Sequence, residues 1–151
     1  MRRDGSVQHA ASAPSPLLDI SNAMVRLYKE MFGRGPTKAR AHFSGPDTLT
    51  VVLENTLTVA ERRLVSMGEH ERVRAHRLFL QETFEDLKRA EVERILSRRT
   101  IASICGIDPS HDVAAEVFTL APAVELSKDG FGHLPKAGFG HGPPRSTPPM
   151  P

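Results

Sequence analysis

Residues 33–61 read GRGPTKARAHFSGPDTLTVVLENTLTVAE. A helix stop opens this stretch, a helix start closes it, and a hairpin lies between. Upstream of it, Leu17, Ile20, Met24, Leu27, Tyr28 and Met31 recur at three- and four-residue steps. That spacing predicts a helix over 17–32 with one apolar face. Ser15 is placed to cap it, and Pro16 to take the first helical position, where a missing N–H costs nothing. Gly33 suits the left-handed residue after the last turn, and Pro36 forbids continuation. Residues 38–43 and 48–54 read as strands around the turn residues Ser44-Gly45-Pro46-Asp47, with Leu49, Val51 and Leu53 on one face of the second. Thr58-Val59-Ala60-Glu61 has the spacing of a capping box, in which the Thr hydroxyl and the Glu carboxylate each satisfy a backbone N–H of the other. A short helix is expected from Val59 to about Met67, with Gly68 ending it.

Working outward, residues 69–98 hold the longest periodic stretch. Val73, Leu80, Phe84, Leu87 and Ile95 fall near one face, Phe79, Val92 and Leu96 widen it, and neither Gly nor Pro interrupts it. It reads as one long helix, able to project past a sheet and meet a partner. Residues 100–107 and 113–120 read as a second hairpin around 108–112, the return strand carrying Val113, Ala115 and Val117 at alternate positions. The expected fold is α+β: a four-stranded antiparallel sheet with helices packed on one face, in the order α-β-β-α-α-β-β. The other face needs a cover, and homodimerisation supplies one.

The ends differ from this middle. Residues 1–16 are expected to be a disordered arm, 17–120 the folded domain, and 121–151 a disordered Pro/Gly/His-containing tail. The formal net charge is +2. Each end contributes +1 and the middle is balanced, with 15 basic and 15 acidic residues. A whole-domain basic footprint is therefore missing, and nucleic acid is disfavoured as a partner. Arg26, Lys29, Arg34, Lys38 and Arg40 read as a solvated basic rim. No run approaches the length of a transmembrane helix, and Arg2 and Arg3 precede no apolar secretory core. The expected location is the cytoplasm, including the membrane periphery.

Candidate chemistry is sparse. Gly33-Arg34-Gly35-Pro36 follows a helix, whereas phosphate-binding glycine loops follow a strand and open a helix. Arg34, left open between two glycines, is the functional remainder and could hold a carboxylate or phosphate. The single Cys105 lies in an apolar run and reads as a buried small residue. The seven histidines show no metal-ligand spacing. No catalytic residue, metal or cofactor is expected.

The chain resembles a bacterial family named for the MpsC component of a sodium-translocating, membrane-potential-generating system. The resemblance rests on Gly33-Arg34-Gly35-Pro36, on the run 48–54 followed by Leu57-Thr58-x-x-Glu61, on a long helix with Arg77 midway, and on the closing Val117-Phe118-Thr119-Leu120. It implies a link to ion transport and a role as a soluble accessory subunit. It supplies no catalytic residue. The expectation is a self-associating, non-enzymatic interaction domain, with Arg34 and Arg77 beside the Gly-Pro turn meeting an acidic or membrane-protein partner. The alternative is a small-anion sensor or enzyme using Arg34 with Arg77 or His42 as a clamp.

Overall fold

A computed structural model describes residues 13–123. Residues 1–12 of the expected arm and 124–151 of the expected tail lie outside the described residues, and Pro16, placed in the arm, opens the first helix. The elements are α1 (Pro16–Phe32), β1 (Lys38–Gly45), β2 (Thr48–Glu54), α2 (Val59–Ser66), α3 (His70–Thr83), α4 (Glu85–Leu96), β3 (Thr100–Asp108) and β4 (Val113–Leu120). The strands form one antiparallel sheet in the order β1-β2-β4-β3, so the two hairpins join through β2 and β4.

The first helix keeps its expected stop and loses its expected cap. Gly33 takes φ 72°, but the Ser15 side chain makes no capping bond. Gly35 packs closely, since a Cβ there would stand 3.1 Å from the Val25 carbonyl oxygen. The capping box is present in full. The Thr58 N–H donates to Glu61 Oε2 at 2.7 Å, and the Glu61 N–H donates to Thr58 Oγ1 at 3.3 Å.

The single long helix is corrected to two, broken at Phe84 (φ −107°, ψ 2°). No glycine or proline marks the break. Gln81 and Lys88, seven residues apart on either side of the break, bond side chain to side chain at 2.9 Å. The expected apolar stripe is also corrected. Phe79 and Leu87 are exposed, and the buried line is Val73, Arg77, Gln81, Lys88 and Val92.

The core lies between the helices and one sheet face, with Ile20, Met24, Tyr28, Leu49, Val51, Leu53, Phe118 and Leu120 fully buried or nearly so. On β4 the inward positions are Ala114, Glu116, Phe118 and Leu120; Val113, Ala115 and Val117 point the other way, where no further element lies among the described residues. The edges are blunted. The Ala41 N–H of β1 donates to Ser21 Oγ, Arg74 donates to the Ile107 carbonyl of β3, and β3 is irregular between Thr100 and Ala102.

Asp112 hooks the hairpins to the helices. Its carboxylate accepts from the Thr56 N–H at 2.6 Å, the Thr56 hydroxyl at 3.1 Å and the Leu57 N–H at 2.9 Å. It also sits at φ 52°, a region hostile to most side chains. Asp112→Ala should cost about 3 kcal/mol in urea denaturation, combining lost charge-assisted bonds with backbone strain. A cost below about 1 kcal/mol would show the hook to be dispensable.

Candidate functional site

The expected clamp residues part company. Arg77 was expected on an open surface and is fully buried. Its Nε donates to Glu61 Oε1 at 2.7 Å, and its Nη2 donates to Glu61 Oε2 at 2.5 Å and to the Thr56 carbonyl at 2.8 Å. The guanidinium lies over the Phe32 ring, 3.6 Å from its centre, a cation–π arrangement that is strong when desolvated. Its Nη1 is the one buried side-chain polar atom without a hydrogen-bond partner among the described residues. Arg34 is half-buried and donates to the Leu57 carbonyl at 2.5 Å. Arg34 and Arg77 thus meet neighbouring carbonyls of one linker. His42 is exposed on β1 and joins neither.

Arg34 therefore ties the helix-stop motif to the helix-start motif, and Arg77 closes the same knot from α3. Glu61 works twice, as the reciprocal cap and as the counter-ion. Burial works to raise its pKa, but the bonds from Arg77 and Thr58 outweigh that and hold the carboxyl below its ordinary 4.5. The basic rim is largely spent on nearby carboxylates: Lys38 and Arg40 reach Glu54, and Arg26 reaches Glu91.

A second buried cluster escaped the sequence reading. Lys88 Nζ donates to both oxygens of Glu116 and to Gln81 Oε1, each at 2.9 Å. The Tyr28 hydroxyl donates to Glu116 Oε1 at 2.9 Å and accepts from Gln81 Nε2 at 2.8 Å. All three ammonium protons are used, so the cluster is closed. Burial pushes the Glu116 carboxyl up, against the pull of Lys88 and Tyr28. Burial, then the Glu116 charge, raises the Tyr28 phenol well above its usual range. Burial, again followed by Glu116, raises the half-buried Cys105 thiol, which keeps it protonated and a poor nucleophile. Alternation on β4 could have marked Glu116 as inward, because it shares parity with Phe118 and Leu120.

Beside the Arg77–Glu61 pair runs a cleft of about 560 Å³, lined by Met31, Phe32, Ala60, Leu64 and Leu80, with Arg72 and His76 at its rim. Among the described residues no three His, Cys, Asp or Glu side chains converge as a metal site requires. No described helix is long and apolar enough to cross a membrane.

Together these features define a small α+β domain whose interior ions are paired with one another. The model of one family matches residues 18–122, and the chain belongs to it: the family described as Na+-translocating membrane potential-generating system (MpsC). No curated protein matches the chain. No solved structure matches it either.

Two predictions follow from the buried pairs. Lys88→Met strands the Glu116 carboxylate and should cost about 3–5 kcal/mol in urea denaturation, while the double variant Lys88→Met/Glu116→Leu should recover much of it; simple additivity would show that the two groups are not coupled. Glu61 has a lowered pKa, so its stabilisation is complete above 4.5 and lost as pH falls through the lowered value. Acid melts of Glu61→Gln should lack that part of the decline, and a decline identical to wild type would refute the assignment.

Proposed function

We propose that this chain is a non-enzymatic accessory domain of a sodium-translocating, potential-generating system, acting at the cytoplasmic side of the membrane and self-associating as a homodimer. Membership in the MpsC family supports the link to that system. The observation that carries the interaction role is the uncovered sheet face, where Val52, Val113, Ala115, Val117 and Ile104 stand with no layer over them among the described residues. The internal pairing of both charge clusters supports the non-enzymatic reading, because Arg34, Arg77, Lys88 and Glu116 are each held by groups of the chain itself, with only Arg77 Nη1 left without a partner among the described residues.

The cleft beside Arg72 and His76 favours one competing reading, a small-ligand sensor for an anion with an apolar part. Cells lacking the chain should show a smaller sodium-dependent membrane potential with a voltage-sensitive dye, restored by re-expression. The purified protein titrated with phosphate, small carboxylates and nucleotides should show no saturable heat. An unchanged potential would end the transport reading. Saturable binding lost in His76→Ala with folding intact would replace the scaffold by the sensor.

A further inference from the structure

The open sheet face is not evenly textured. Strand register places His42, Thr50, Val117 and Ile104 in one row across the sheet, and Arg40, Val52, Ala115 and Gly106 in the next. On the β4–β3 half the first row is a ridge and the second is bare. Ile104 is 69% exposed. Beside it, Gly106 has no positive φ, and a Cβ there would meet nothing within 4 Å. A glycine inside a strand weakens it and often marks the close approach of another backbone. Nothing among the described residues requires Gly106 to be glycine.

The geometry points to an isologous dimer in which two open faces pack together about a twofold axis perpendicular to the strands, running between these two rows. The inference rests on the self-association proposed above and names the surface and its register. Such an axis sets each row over the other row of the partner. Ile104 then seats on the partner's Gly106, Val117 on the partner's Ala115, and Thr50 on the partner's Val52. Large faces small at the apolar positions, as two sheets about 10 Å apart require for interdigitation. His42 meets the partner's Arg40 at the rim, where Arg40 is already neutralised by Glu54 at 2.6 Å.

Pairing through the edges is opposed by the Ser21 and Arg74 contacts and by the irregularity at Thr100/Ala102, which leaves the face. Its extent is sufficient. Four strands about 4.8 Å apart and about seven residues long span roughly 450 Å² in plan before side-chain relief, so two faces approach the ~1,000 Å² of a specific interface.

The test is sedimentation velocity on the full chain at high micromolar concentration, with thermal melts as the folding control. Wild type should be dimeric. Gly106→Val fills the bare row with a residue that suits a strand, so it should stay folded and lose about tenfold or more in dimer affinity. Ile104→Ala should also weaken the dimer, and the double variant Ile104→Ala/Gly106→Val should recover it, because large again faces small. A dimer unaffected by Gly106→Val would leave self-association standing and overturn this face. A double variant that stays monomeric while folded would overturn the register. A monomeric wild type would overturn both the interface and the self-association beneath it.

Discussion

A carboxylate on the buried face of a central strand must be neutralised where it stands, and most of this architecture follows from doing so for Glu116. Its partner Lys88 comes from α4, its second donor Tyr28 from α1, and Gln81 of α3 bonds both partners. Three helices are thereby registered against one point of the sheet. An unpaired ion there would be costly, whereas a fully satisfied network fixes geometry that apolar packing alone would leave adjustable. Gln81 and Lys88 stand on either side of the helix break at Phe84 and bond each other across it.

That dependence explains what could be read from the chain. The hairpins, the capping box, the Gly33 stop and the order of elements rest on local rules: turn residues, alternation, and a side chain meeting a backbone three residues away. They were legible for that reason. The break at Phe84 has no local signal, because neither glycine nor proline marks it. Arg77 was likewise expected at a surface meeting a partner, and Gln81 and Lys88 drew no reading, since polar residues on a helix ordinarily face water and their partners lie in other elements. Glu116 was the readable exception, because alternation with Phe118 and Leu120 puts it inside.

The candidate clamp fared differently from the fold. Arg34 was singled out as charge that a helix stop does not need; in the structure it donates to the Leu57 carbonyl and so joins the two motifs. Arg77 serves the same junction from below, and the family-like sequence at residues 33–36 and 57–61 is best understood as one tertiary knot. Chemistry-bearing residue types in this chain are mostly structural. The uncovered sheet face is made of plain residues, valines, alanines and an isoleucine, which carry no motif and are invisible to a search for reactive groups.

The blunted sheet edges bear on how the protein behaves when crowded. A serine hydroxyl occupies the middle of one edge strand, and an arginine and a backbone irregularity interrupt the other. A sheet blunted at its sides is a poorer template on which further chains can add strand after strand, the route by which β-rich proteins grow into fibres. Contact between copies at high concentration is thereby steered away from open-ended strand addition.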